Sequence, residues 1–504
     1  MRIIDLAVIG VYLLTMPALG ILLAGRQRGT GDYFLGGRDL PWWAVCFSVV
    51  ATETSTLTVI SVPTVAYLGS FTYLQLAIGY LIGRTVVAFV LLPRYYTGEL
   101  VSAYAFLGQR FGRGMQGTAS VTFSITRLLA DGLRLFATAI PVKVMLASFG
   151  VAASYWQIVL ALSALTVIYT YFGGIRAVVW VDVVQLGVYV GGSVLAGIIL
   201  LSRLPGDWFD QALRAGKFEL FDLSSPVLTS QYSFVTALFG GAVFAMASHG
   251  ADQLMVQRLL ACRTLADSQR AVITSGLLVL LQFALFLGVG SMLWAFFAGA
   301  SPERLGLSSG DALFPRFIVN QLPPGLSGLL IAGIIAAAMS TLSSSLNSLA
   351  TSTVSDLYQR LSGKVHDERA LLRLARAVTV GWALVFVVFA TLFTSTDNPV
   401  VEVGLGIASY TYGALLGAFL LGLLVRRARQ PDAVVAFCCA LLGVLWLAFG
   451  AAFPDGQGDH APLAFPWYAP IGVVITLLTG GVLSLRHRPR QEGAARESEL
   501  SETG

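Results

Sequence analysis

The chain has 504 residues, 56% of them hydrophobic and 12% charged, and its mean hydropathy is +0.76. A soluble domain carries about twice that share of charge, so this much apolar surface calls for lipid as its solvent. The net charge of +5 comes from basic residues grouped in short loops, which gives no argument for nucleic acid, and four scattered histidines and four cysteines without CxxC spacing argue against a metalloenzyme or a disulfide framework.

A bilayer core needs about 20 mostly apolar residues per helix. That rule predicts an all-α membrane protein with about thirteen transmembrane helices, at residues 3–24, 41–68, 71–93, 117–147, 155–172, 180–202, 232–256, 271–298, 325–355, 375–395, 400–425, 432–453 and 466–485. The first stretch, Ile3 to Ala24, has the outline of a signal peptide. Asp5 interrupts its n-region, however, the apolar run is long, and Arg26 and Arg28 follow directly, so it is read as a first span. Odd-numbered gaps hold most of the basic residues, among them Arg26, Arg28 and Arg38, then Arg258, Arg263 and Arg270, then Arg360, Lys364, Arg369, Arg373 and Arg376. The positive-inside rule then places the N-terminus outside and the C-terminus in the cytoplasm of a cell (inner) membrane. The tail from Arg486 is polar and expected to be disordered.

Polar groups inside spans are costly and are functional candidates by default. In the second span, Ala51-Thr52-Glu53-Thr54-Ser55-Thr56-Leu57-Thr58 sets hydroxyl and β-branched residues around a carboxylate, which weakens a helix locally. Arg84 in the third span either snorkels or finds a partner. In the fourth, Arg127, Asp131 and Arg134 share a helix face, as an internal ion pair or a substrate contact. Asp182 begins the sixth span, where an aspartate can be a helix cap. Ala247-Ser248-His249-Gly250-Ala251-Asp252-Gln253 interrupts the seventh span as the second is interrupted, and matching broken helices in two inverted halves point to a transporter site. The ninth span carries Ala337, Ser340, Thr341, Ser344 and Ser348 on one face, with Ser343 and Asn347 beside it. Small residues permit close helix approach, and hydroxyl and carbonyl oxygens suit a hard cation, whereas no nucleophile elbow or His/Asp partner supports a catalytic serine. Glu402 at the start of the eleventh span is uninformative.

These residues resemble a known family. Asp32-Tyr33-Phe34-Leu35-Gly36-Gly37-Arg38, Tyr171-Phe172-Gly173-Gly174-Ile175-Arg176 with Trp180 and Asp182, Asp252-Gln253 with Val256-Gln257-Arg258, and Ala336–Asn347 leading to Ser355-Asp356-Leu357-Tyr358 are similar in order and spacing to the sodium/solute symporters, which include proline, sialic acid and sodium/glucose transporters. The resemblance implies a five-plus-five inverted-repeat, LeuT-like core at 39–428, with halves about 39–202 and 232–428. It is flanked by an N-terminal helix and loop (1–38) and two accessory helices (429–486), with the tail at 487–504. It implies a main sodium site of the carbonyls of Ala51, Thr54 and Ala337 and the hydroxyls of Ser340 and Thr341. A second sodium site falls on Asp182, Ser340, Thr341, Ser343 and Ser344. Glu53, Ser55, Thr58, Tyr73, Gln75 and, after a one-residue gap, Arg134 fall at substrate positions.

The expected function is sodium-coupled import of a small organic solute (organic anion, amino acid or sugar) by alternating access, with one or two Na+ ions. The chain is expected to be no enzyme and to work as a monomer in lipid. Proton coupling through Glu53 or Asp182 is the second reading, and a transporter-like membrane sensor the third.

Overall fold

In the computed structural model the described residues are 3–487, apart from 26, 98–99, 149, 308–309, 363–366, 393–399 and 455–458. Lipid offers no partner to a bare peptide group, so an apolar chain of this kind satisfies its backbone within helices. Long helices run over Ile3–Leu23, Phe71–Thr97, Arg113–Ser148, Tyr155–Leu201, Leu265–Phe296, Leu326–Thr351, Glu368–Thr391, Val400–Leu424, Gln430–Gly450 and Tyr468–Ser484. Among the described residues, nine helices are long and apolar enough to cross a membrane. A tenth is counted if the bent pair beginning at Trp42 forms one span.

Both predicted interruptions are present. Trp42–Glu53 stops and Thr56–Leu68 restarts after a bend of 62°. The Ser55 N–H turns to Thr58 Oγ1 (3.3 Å) rather than back to the Ala51 carbonyl, which ends the first half-helix. In the other half, Gly241–Gly250 ends at Ala251 and Gln253–Leu259 begins, with Asp252 Oδ1 capping the Leu254 N–H (2.9 Å).

The predicted spans 155–172 and 180–202 form one 47-residue helical run. Straight, it would measure about 70 Å, more than twice a bilayer core. Gly174 divides it, at φ 52° and ψ −150°, a conformation closed to other residues. A Cβ there would also lie 2.3 Å from the Tyr33 carbonyl oxygen.

The serine helix Leu326–Thr351 is buried over nearly its whole length, all but Leu326 and Leu329. Its small residues let neighbours approach closely, as Gly333 does against Tyr189 and Gly328 against Asp5. Asp5 caps this helix from the distant first helix. Its Oδ1 accepts from Gly325 N (2.8 Å), Ser327 Oγ (2.7 Å) and Gly328 N (2.9 Å).

Short helices at Thr30–Leu35, Ala103–Phe111, Trp208–Arg214 and Leu313–Gln321 lie between the predicted spans, too short for a rule built on bilayer thickness. The tail at 488–504, Arg26, Lys364 and the Glu402 side chain fall outside the described residues.

Candidate functional site

The first broken helix, the second broken helix and the serine helix pack together, Thr52 of the first and Arg258 of the second both reaching Ser344 of the serine helix. Two cross-links bracket the first break: Thr52 Oγ1 lies 3.2 Å from Ser344 Oγ, and Thr56 Oγ1 donates to the Ile334 carbonyl at 2.9 Å. Between them in the chain lie Thr54, Ala337, Ser340 and Thr341, with Ala51 directly before Thr52. The helix ending at Glu53 presents the negative end of its dipole here, with terminal carbonyls lacking a next turn. Thr341 Oγ1 bonds the Ala337 carbonyl (3.1 Å), and Thr54 Oγ1 bonds Val50 O (2.8 Å) and accepts from Gln282 Nε2 (2.8 Å). The set is all oxygen, of the kind a hard cation binds.

Asp182 is not a helix cap. It lies inside the 47-residue run, fully buried, and accepts from Ser340 Oγ (2.7 Å) and Ser48 Oγ (2.6 Å). Arg258 faces it at 3.5 Å, donates through Nε to Ser48 Oγ (3.0 Å) and bonds Ser344 Oγ. Ser343 and Ser344 also bond the Ser340 carbonyl, at 3.0 and 2.6 Å. Four of the five residues expected at a second sodium site therefore share one hydrogen-bonded cluster, with a guanidinium in it that sequence reasoning had not included.

Beside the break lies a cavity of about 90 Å³. Glu53, Ser55, Thr58, Tyr73, Arg134 and Thr341 line it, as do Thr52, Tyr80, Arg127, Phe244, Ser248, His249, Leu254, Met255, Phe283, Ala408 and Tyr412. Gln75 is not among them. Its Nε2 donates to Thr72 O (3.1 Å) and Tyr232 O (2.9 Å) beside the cavity. Tyr73 packs edge-on against Phe283 and tilted against Tyr232, at ring distances of 5.3 and 5.6 Å.

Two separate charged clusters border the cavity. In one, Asp131 accepts from Arg134 Nη1 (3.0 Å), from Arg127 (3.4 Å) and from Ser345 Oγ. Arg127 also reaches Asp252 Oδ2 (3.0 Å) and Tyr412 OH (2.7 Å), and Tyr412 OH donates to Asp252 (2.7 Å). Arg134 is 20% exposed and makes only its Nη1 bond among the described residues, so Nη2 and Nε remain for a ligand. In the other cluster Glu53, 17% exposed, is paired through Oε2 with Arg84, which also donates to Ser275 Oγ (2.8 Å). Glu53 and Arg134 thus each have a partner, but not each other.

Sequence reasoning passed over Phe283, Phe244 and Tyr80. An aromatic in an apolar span carries no signal of facing a cavity. Arg127 and His249 stood in polar clusters, but nothing in the sequence placed them on one wall.

Residues 33–440 match the sodium:solute symporter family. The chain is 30% identical to the sodium/sialic acid symporter NanT of Aliivibrio fischeri, over 93% of this chain and 90% of that one. It is also 30% identical to the sodium/sialic acid symporter SiaT of Proteus mirabilis, over 99% and 98%. A solved structure of a Na+-coupled sialic acid symporter, substrate-bound and outward-open with a novel Na+ site, superposes with a TM-score of 0.85 at 27% identity, covering 97% of this chain and 99% of that one.

Proposed function

This chain belongs to the sodium:solute symporter family, and on that premise we propose that it imports a small carboxylate-bearing organic anion together with sodium. Sodium coupling and alternating access come with the family and the fold. The carboxylate reading rests on one observation: Arg134 presents two guanidinium nitrogens, Nη2 and Nε, without a partner among the described residues to a cavity whose other charges are already paired. A guanidinium matches a carboxylate bidentately. The sialic acid of the relatives' names is itself a carboxylic acid.

The rest of the reading follows in the same terms. A sodium ion binds the carbonyls of Ala51, Thr54 and Ala337 and the hydroxyls of Ser340 and Thr341. It joins the first break to the serine helix, beside the wall that receives the solute. A second ion at Asp182, Ser340, Thr341, Ser343 and Ser344 would compete with Arg258 for one carboxylate, so it binds as Arg258 withdraws. Thirteen spans result when the helical run is divided at Gly174 and each broken pair is one span. Spans 2 to 11 (39–428) form the inverted-repeat core, 1–38 and 429–486 the flanks, and the positive-inside pattern sets the N-terminus outside an inner membrane. The protein acts as a monomer and catalyses no covalent step.

A thermal-shift screen of small carboxylates, amino acids and sugars, with and without sodium, tests the substrate class. Ligand binding raises stability by mass action. Sodium-dependent shifts with carboxylates that Arg134→Gln abolishes are expected. Shifts with neutral sugars alone would contradict the carboxylate reading.

A further inference from the structure

The cavity lining around Glu53 holds an unsatisfied group that carboxylate binding at Arg134 does not use. His249 is 1% exposed and lines the cavity. Its Nδ1 lies 2.8 Å from Ser248 Oγ, while its Nε2 has no hydrogen-bond partner among the described residues. Nε2 stands 3.9 Å from Glu53 Oε2, too far for a hydrogen bond. Glu53 Oε2 is held by Arg84, and Oε1 carries no hydrogen bond among the described residues. A buried polar atom left unpaired costs free energy, and a ligand that pairs His249 Nε2 while meeting the partly exposed Glu53 Oε1 completes this wall.

We propose that Glu53 and His249 form a second subsite that reads a hydroxyl group on the solute, so that the substrate is a small hydroxycarboxylate. This rests on the carboxylate reading of Arg134. A hydroxyl donates one hydrogen bond and accepts others, so it donates to Glu53 Oε1 and accepts from His249 Nε2–H, the tautomer in which Nδ1 accepts from Ser248 Oγ. The Glu53–Arg84 pair makes this wall electrically neutral, which suits a neutral hydroxyl and leaves an ammonium without a net counter-charge. Sites built to hydrogen-bond a hydroxyl reject the analogue lacking it strongly, because their own polar groups then go unpaired.

The test measures sodium-driven uptake by the full chain in liposomes of butyrate, 2-, 3- and 4-hydroxybutyrate, and 4-aminobutyrate. At least one hydroxybutyrate is expected to exceed butyrate by roughly tenfold or more in kcat/KM. His249→Phe should shrink that ratio to within about threefold, and His249→Gln, which keeps a polar tip, should restore part of it. Should the His249 variants fail to fold, the wild-type ratio still decides. Equal uptake of butyrate and all three hydroxybutyrates would overturn the hydroxyl subsite and leave the carboxylate reading standing. Preference for 4-aminobutyrate over every hydroxybutyrate would overturn it in favour of an ammonium site. Uptake of none of the five would remove the carboxylate reading, and this inference with it.

Discussion

Ser340 is bound to Asp182 and sits one residue from Thr341, which faces the cavity, so on the proposed reading these two hydroxyls serve adjoining sodium and solute sites. A hydrogen-bonding group that serves an ion contributes roughly 1.5–3 kcal/mol. Ser340→Ala and Thr341→Ala are each expected to raise the sodium concentration for half-maximal uptake by on the order of tenfold or more, read from a sodium titration in liposomes. An unchanged titration in both variants would remove them from the ion site. The types of these residues were legible in the sequence, since a stripe of hydroxyls in lipid demands a use. Their partners were not. Arg258 lies 76 positions beyond Asp182 in number order, and only the folded chain sets its guanidinium 3.5 Å from that carboxylate. Arg84 and Glu53 were both visible as misplaced charges, yet nothing in either sequence neighbourhood says that they pair.

At the scale of the element, the sequence predicted where helices exist better than where they end. Hydroxyl residues and glycine marked both broken helices, because those residues offer the backbone other hydrogen bonds or added freedom. The short helices between spans escaped, and the boundary at 172–180 became a bend, not a loop. Gly174 is the test of that bend. In an ordinary helix Gly→Ala stabilises by about 0.4–1 kcal/mol, whereas here positive φ and the Tyr33 carbonyl oppose any Cβ. Gly174→Ala should cost on the order of 1–3 kcal/mol and lower the melting temperature in detergent. An equal or higher value would show that the bend is soft.

The loop before the second broken helix has its own switch. Desolvation is the largest single influence on Asp222 and raises its pKa, but the Ser225 and Ser224 hydrogen bonds to its carboxylate together outweigh it and hold the group below the ordinary value of 3.8. Oδ1 accepts from Ser224 N (3.1 Å), Ser224 Oγ (3.1 Å) and Ser225 N (3.0 Å), and the Asp222 carbonyl accepts from Phe234 N (2.7 Å). A folded value below the unfolded one gives stability that is present above the unfolded pKa and lost as pH falls through the folded one. Hydrogen exchange at Ser224 and Ser225, corrected for its intrinsic pH dependence, should lose protection as pH falls below about 4, and Asp222→Asn should flatten that response. A wild-type response no steeper than that of the variant would contradict it.

For the whole molecule, charge balance connects the sites. Glu53 faces Arg84, Asp131 and Asp252 share Arg127 and Arg134, and Asp182 faces Arg258. The unloaded centre is therefore neutral, and a carboxylate entering with one sodium ion keeps it so. That gives coupling a physical form: each charge makes the other cheaper to bury, and by linkage the two affinities rise together. Composition alone made the membrane setting legible, and two broken helices with a serine stripe made the transporter legible. The solute was not, because its recognition depends on which hydrogen-bonding atoms are left unpaired after folding.

The most direct measurement is uptake of a labelled small carboxylate by the purified protein in sealed liposomes, under an inward sodium gradient or an equal potassium gradient. Accumulation above equilibrium with sodium, its absence with potassium, and its loss in Arg134→Gln are the results expected. Equal uptake under both gradients, or sodium-driven uptake that Arg134→Gln leaves intact, would contradict the account.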